Sequence, residues 1–390
     1  MKRVCSHVAE ILSFLHAHED EMREFLGDLV SMETPSHNKE AQHIILEFLR
    51  ERFEALGFHV LHVPGKKTGG YLYARPLKRN KNRPIQLLIG HCDTVWPTGT
   101  LQERPLSYEK GKIKGPGVYD MKAGLTQIFY ALAAIQSMPL PIKVEPVVVI
   151  NSDEEIGSWE STSIIKRLSR IASRAFILEP PLGLDGKLKT ARKGIGRFTI
   201  TVKGKAAHAG LDPTKGINAI VELSHQVQQL YAMNDYEKGI TVNVGTIEGG
   251  ISPNTVAPMS KAVVDVRVLS EKDGEFITKK IKSLKPHHRD VELIIEGAIG
   301  RPPMEKTPRN QELWRIAQLQ GKQLGLKLEE ATAGGGSDAN TTSLYTASLD
   351  GLGTPGDGAH ALHEFIFEKK LLERTALLTL LLLTEPINAA

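Results

Sequence analysis

The sequence predicts an α/β protein in two parts, a layered α/β domain with a smaller β-α-β-β-α-β domain inserted into it. Three observations predict this. The chain has 390 residues, more than one hydrophobic core usually serves. Between residues 58 and 178, short apolar runs alternate with helical patterns, as in a layered sheet with a largely parallel centre. Between residues 196 and 296 the order becomes strand, helix, strand, strand, helix, strand, the ferredoxin-like arrangement.

The elements follow in order. Residues 8–32 carry Ile11, Phe14, Leu15, Met22, Phe25, Leu26 and Leu29 at helical spacing and read as one helical segment. A second helix covers 39–56, with Ile44, Ile45, Phe48, Leu49 and Phe53 on one side and Gly57 free to end it at positive φ. Strands are expected at 58–63, 71–74, 85–89, 144–150 and 175–178, and helices at 122–136 and 161–169. In the inserted part, strands at 196–203, 241–246, 262–269 and 291–296 flank helices at 217–231 and 272–284. A helix resumes at 311–324, and the apolar run 377–383 belongs to a buried C-terminal helix. Residues 1–192 and 305–390 then form the larger domain and 193–304 the inserted one.

Composition narrows the function classes. With 41% hydrophobic and 24% charged residues the chain can bury ordinary cores. A net charge of +4 gives no support for nucleic-acid binding, which would want a clustered basic stripe. The basic run 78–83 reads as a solvated turn between strands. Two cysteines, Cys5 and Cys92, exclude a disulfide framework and fit a reducing, cytoplasmic setting. The first fifteen residues lack a signal-peptide pattern, and no run of about 18 apolar residues predicts a membrane span.

Five segments at the ends of expected strands carry candidate chemistry, and active sites of open α/β sheets collect there. His91-Cys92-Asp93 follows the strand at 85–89; if the strand continues, alternation puts His91 and Asp93 on one side, so Asp93 can orient an imidazole whose other nitrogen binds metal, and alone the segment reads equally as a surface turn with a chance His-Asp pair. Asp120 follows Gly115 and Gly117; taken alone it reads better as the cap of the next helix than as a ligand. Asp153-Glu154-Glu155 gathers three repelling carboxylates, which need compensating cations or full solvation. Glu179 ends an apolar strand, where an isolated acid needs a partner. The fifth segment, 356–364, holds His360, His363 and Glu364 among glycines. Two histidines and three carboxylates suit zinc better than magnesium or calcium, and they are too many for one tetrahedral site; two catalytic metals sharing a carboxylate is the economical reading.

Taken together, H-C-D-T-V (91–95), G-x-G-x-x-D-M-K (115–122), D-E-E-I-G-S (153–158), L-E-P (178–180) and G-A-H-x-x-x-E (358–364) resemble the zinc aminoacylase and glutamate carboxypeptidase family in order and spacing. The branch most resembled is the bacterial folate-hydrolysing glutamate carboxypeptidases. The likeness covers nearly the whole chain, including G-G-G-S-D (334–338) and the inserted domain. It implies a zinc-exopeptidase-like catalytic domain with a ferredoxin-like lid and dimerisation domain. It also implies that His91 and Glu179 serve one zinc, Glu155 and His360 the other, and Asp120 both. Asp93 then orients His91, and Glu154 is the general base. His360 is preferred to His363 because Glu364 then falls four residues later, as in the family pattern. Ala123 departs from the usual glycine without touching the ligands.

In the inserted domain, His208 of G-K-A-A-H-A-G (204–210) matches a histidine that stabilises the oxyanion across a dimer interface. Asn254, Arg267, Lys187 and Arg301 fall where relatives contact the substrate carboxylate, although Arg267 reads equally as a solvent-facing strand residue. The implied activity is hydrolysis of an N-acyl or peptidyl amino acid beside a free carboxylate, by a homodimer with two zinc ions per chain that cobalt or manganese could replace. An aminoacylase, dipeptidase or desuccinylase would share this metal site, and a catalytically silent binding protein could share the fold.

Overall fold

The computed structural model describes residues 2–138, 140 and 142–387, with side chains of the first helix from His7 onward. The side chain of Cys5 lies outside the described residues. The chain divides into two compact units: residues up to 190, 306–332 and 337 onward form one, and 191–305 with 333–336 the other.

The first unit begins with α1 (Lys2–Ala17), α2 (Glu19–Ser31), α3 (Lys39–Ala55), β1 (Phe58–Val63), β2 (Tyr71–Pro76) and β3 (Ile85–His91). It continues through α4 (Thr100–Glu103), β4 (Ser107–Glu109), β5 (Lys112–Lys114), α5 (Ala123–Ser137), β6 (Glu145–Asn151), α6 (Thr162–Ser169) and β7 (Ala172–Ile177). Strand β8 (Leu188–Arg192) leads into the second unit: β9 (Gly194–Lys203), α7 (Ala219–Tyr231), β10 (Thr241–Gly249), β11 (Met259–Val268), α8 (Glu271–Lys282) and β12 (Glu292–Arg301). The chain returns with α9 (Pro308–Gln323), β13 (Glu330–Ala333), α10 (Asp338–Thr342), β14 (Ala347–Leu349), β15 (Gly356–Asp357), β16 (Phe365–Phe367) and α11 (Glu368–Leu382).

The main sheet has the order β1-β2-β6-β3-β7-β14. Strands β6, β3, β7 and β14 run parallel, while β1 and β2 form an antiparallel edge. Every residue of β6 is buried, as a central strand covered on both faces requires. Helices α5 and α11 pack together, and Leu125, Ile128, Leu377 and Leu381 are buried in the core they share with the sheet. The second unit has sheet order β10-β11-β9-β12, the ferredoxin-like order, around Phe198, Ile200, Val264, Val266, Leu223 and Ile277. Local chemistry sets the helix starts: Asn38 caps α3, Asn218 caps α7, Ser270 caps α8 and Thr307 caps α9, each accepting backbone N–H bonds.

Two expectations need correction, and a third gains detail. Residues 8–32 are two helices, not one, because His18 leaves helical geometry (φ −112°, ψ 18°) and Glu19, Asp20 and Glu21 open a new first turn. The basic run 78–83 is a largely exposed turn between β2 and β3, as expected, and it is anchored by Glu145, which accepts from the Asn80 N–H and the Arg83 guanidinium. The segment 333–336 belongs with the second unit, because Lys193 N–H donates to Ala333 O at 2.9 Å and the Arg192 guanidinium holds the Gly335 and Gly336 carbonyls. The C-terminal apolar run lies in buried α11 as expected. No helix among the described residues is long and apolar enough to cross a membrane.

Candidate metal centre

The parallel strands bring the first ligands to one level. Ile89 of β3 pairs with Ile177 of β7, and His91 pairs with Asn151 of β6. His91 and Glu179 each lie two residues beyond the Ile89–Ile177 pair, so they emerge together at the carboxyl edge of the sheet. The end of β6 delivers the turn that begins at Asp153 to the same edge. Asp120 arrives from the segment before α5, and His360 from the loop between β15 and β16. Asp120 does not cap α5, whose start has no side-chain cap; its carboxylate faces the two histidines instead.

His91 Nε2 lies 3.2 Å from Asp120 Oδ1 and 3.5 Å from Glu179 Oε1. His360 Nε2 lies 3.5 Å from Asp120 Oδ2 and 3.0 Å from Glu155 Oε2. Asp120 therefore turns one oxygen to each histidine. Two donor groups result, His91–Asp120–Glu179 and Asp120–Glu155–His360, each with ligand atoms within 4.8 Å of one another. The alternative histidine, His363, is exposed and faces Asp357 at 3.8 Å.

The donor chemistry fits a pair of cations. His91 Nδ1–H donates to the Asp93 carbonyl at 3.0 Å, which leaves the Nε2 lone pair facing carboxylate oxygens. Facing lone pairs need positive charge between them. A proton is one source: although burial opposes the charge, Asp120, Asp93 and Glu179 push the His91 imidazole well above its ordinary range. Hydrogen bonds to Asp120 and Glu155 raise His360 to about 10. Burial, with the charge of Asp120, raises Glu155 to about 7 despite His360. Divalent cations are the other source. Imidazole mixed with carboxylate is a donor set for zinc, cobalt or manganese rather than calcium.

Asp93 is fully buried and does more than face His91. Its carboxylate accepts the N–H groups of Glu154 and Glu155, both at 3.2 Å, and the Ser36 hydroxyl at 2.8 Å. One side chain thus ties the first histidine to the acidic turn. Asp338 steadies the same turn from behind, accepting from the Ser158 hydroxyl at 2.6 Å and the Asn151 amide at 2.8 Å.

Sequence reasoning gave no role to Ser36 or Asp338, and used Glu364 only as a spacing mark for His360. The Glu364 carboxylate is buried and accepts four donors: Trp96 Nε1, Gly117 N, Tyr119 N and Asp120 N, at 2.8 to 3.1 Å. Burial raises its pKa even so. It fixes the backbone that carries Asp120. Its place in G-A-H-x-x-x-E, four residues after His360, was the available signal.

The second unit holds His208, Asn254, Arg267 and Arg301; Lys187 belongs to the first. His208 and Asn254 lie on neighbouring segments, joined by Ala209 N–H to Asn254 O at 2.9 Å. His208 Nδ1 accepts the N–H groups of Gly210 and Leu211 at 3.2 and 3.1 Å. The neutral ring therefore carries its proton on Nε2. Arg267 is held by Asp265 through Nε at 2.7 Å and Nη2 at 3.0 Å, and its Nη1 reaches Gly334 O at 3.4 Å. Arg301 lies against Gly336 in the same glycine segment. Lys187 is paired with Glu329 at 3.0 Å.

Comparison with known proteins places this geometry in a family. Residues 190–288 match the peptidase dimerisation domain model of the M20 peptidases. The chain is 30% identical to carboxypeptidase G2 of Pseudomonas sp. (strain RS-16) over 345 residues, covering 86% of this chain and 82% of that protein. It is 24% identical to succinyl-diaminopimelate desuccinylase of Delftia acidovorans, covering 82% and 87%. Its fold matches the Bacillus subtilis YxeP protein, described as a dinuclear metal binding peptidase from the M20 family, with TM-score 0.70 and 14% identity over 94% of this chain and 98% of that one. The chain belongs to the M20 family of metallopeptidases, and is a hydrolase of that family.

Proposed function

We propose that this chain is a dinuclear zinc exopeptidase of the glutamate carboxypeptidase type, which cleaves the amide bond of an N-acyl or peptidyl amino acid next to a free carboxylate. The observation that carries the reading is Asp120, whose two oxygens are divided between two donor groups beside the anchored turn of Glu154. His91 and Glu179 would hold one zinc, Glu155 and His360 the other, and Asp120 both. When bound, the two ions would supply Lewis-acid polarisation of the scissile carbonyl and would make water easier to ionise near neutral pH.

The protein groups do the rest. Glu154 takes a proton from the attacking water and passes it to the leaving nitrogen. Asp93 keeps His91 in the tautomer whose Nε2 is a ligand and keeps Glu154 at its post. His208, with its proton on Nε2, donates to the developing oxyanion, and one such donor is worth about 3–4 kcal/mol of barrier. Arg267, Arg301 and Asn254 recognise the substrate carboxylate. Arg267 retains N–H groups beyond those bound to Asp265, as a two-pronged grip requires. Lys187 is the fourth candidate, and its ion pair with Glu329 would have to open first.

The test is a hydrolysis screen of zinc-loaded protein on N-acyl amino acids and folyl-type glutamates. Turnover should peak on substrates with a C-terminal glutamate, vanish on chelation and return at two equivalents of zinc per chain. Preference for an N-acyl group with no dependence on the free carboxylate would move the chain to the aminoacylase side. Full activity with one equivalent would remove the paired-ion reading.

Homodimerisation through the second unit is part of this proposal, and cytoplasmic residence goes with it. Strand β10 is an edge of its sheet, and Ile247 on it and Val221 on α7 are exposed at 58% and 52%. An open edge with apolar neighbours is a ready surface for a second copy. Light scattering should give about twice 42.9 kDa for the native protein, and Val221→Glu with Ile247→Glu should give the monomer mass. A native monomer at micromolar concentration would end this part of the proposal.

A further inference from the structure

The basic run 78–83 has no part in the reaction above, yet the structure builds it into a defined feature. Arg83 N–H donates to Asn80 O at 3.1 Å, Glu145 N–H to Pro84 O at 2.8 Å, and Asn80 N–H to Glu145 Oε1 at 3.2 Å. The run thus forms an ordered rim. It overlooks a groove of about 540 Å³ within the first unit, between the β1–β2 pair and α6.

The floor is apolar and aromatic. Leu61 pairs across the strands with Tyr73, and Val63 with Tyr71, so all four stand on one face. The opposite face, with Val60, Leu72 and Ala74, is buried in the core. Sheets of this class normally cover both faces with helices. Here α6 supplies Ile164, Arg167 and Leu168 as a side wall, with Ile171 just beyond it, and Leu61 stays 49% exposed.

The charge on the walls is one-sided. Arg79, Lys81, Arg83 and Arg167 line the groove, and Glu145 is the one carboxylate among its lining residues. Glu145 already serves Arg83 and the Asn80 N–H. Arg79, Lys81 and Arg167 have no ion-pair partner among the described residues, so the groove offers surplus cationic donors in the same lining as two tyrosines. None of its lining residues is a metal-site donor.

We propose that this groove is a second ligand site, for a small aromatic carboxylate that lays its ring on Tyr71 and Tyr73 and its carboxylate against Arg79 and Arg167. The volume is that of a small-molecule site, which typically runs from about 300 to 1,000 Å³. Ring faces favour an aromatic body, and guanidinium groups match a planar carboxylate.

The probe is 2-naphthoate, titrated calorimetrically into zinc-loaded full-length protein at about 0.15 M salt, where long-range charge effects are damped. The native protein should show saturable binding. Arg79→Glu with Arg167→Glu should weaken it by about tenfold or more, the loss of a charged hydrogen-bonded pair. Lys322→Glu with Lys327→Glu, an equal charge change on exposed residues elsewhere in the first unit, should bind as the native protein does. The neutral analogue 2-naphthylmethanol should bind about tenfold more weakly than the acid. Unchanged hydrolytic turnover in both double variants would show that they fold. No saturable binding to the native protein would overturn the proposal. So would equal binding by the Arg79/Arg167 variant, equal loss in the Lys322/Lys327 variant, or equal affinity for the alcohol.

Discussion

Glu154→Gln should retain two metal ions and lose between about 10² and 10⁴ in kcat, the range over which a positioned acid–base group contributes. The substitution keeps size and polarity and removes only the basic oxygen. The turn should not move, because Asp93 holds it through the backbone N–H groups of Glu154 and Glu155, which glutamine leaves intact. Asp338 holds the following part through Ser158, again independently of the Glu154 side chain. KM should therefore change little while kcat falls, the pattern of an interaction made only in the transition state. Steady-state kinetics at saturating zinc, with metal content measured on the same preparation, checks this. A variant with full metal and a kcat within about threefold of the native value would place the base elsewhere.

The sequence was informative where function concentrates chemistry at strand ends. His91, Glu179 and the acidic turn could be read from apolar runs that stop at charged residues, since a buried strand must deliver its next residues to the sheet edge. The inserted ferredoxin-like unit was legible for a similar reason: its alternating strands and amphipathic helices each match one periodicity. Residues that act through backbone groups were not legible. Ser36 reaches Asp93 from 57 positions away, and nothing in a Thr-Pro-Ser segment announces such a partner. The break at His18 was hidden because apolar spacing continues on both sides of it. The passage of residues 333–336 to the second unit rests on bonds to glycine carbonyls, which have no side-chain signature. Arg267 was correctly placed on a strand, but its bidentate engagement by Asp265 two residues earlier needed coordinates.

Glu364→Gln should lower metal affinity about 10- to 100-fold, the usual cost of losing an outer-shell support. All four partners of this carboxylate are donors, two on each oxygen: Trp96 Nε1 and Gly117 N on Oε2, Tyr119 N and Asp120 N on Oε1. Glutamine fills the same volume but replaces one oxygen by an NH₂ group, itself a donor. Two N–H groups then face a donor in a buried site, at about 1–3 kcal/mol for each one left unsatisfied. The segment 117–120 must shift to relieve this, and Asp120 travels with it. Because Asp120 belongs to both donor groups, both sites should weaken together, unlike the effect of replacing Glu179 or His360, which each touch one. Zinc titration against a competing chelator separates these cases, with circular dichroism confirming that the fold is kept. Weakening confined to one site, or native affinity for both, would show that Glu364 does not position Asp120.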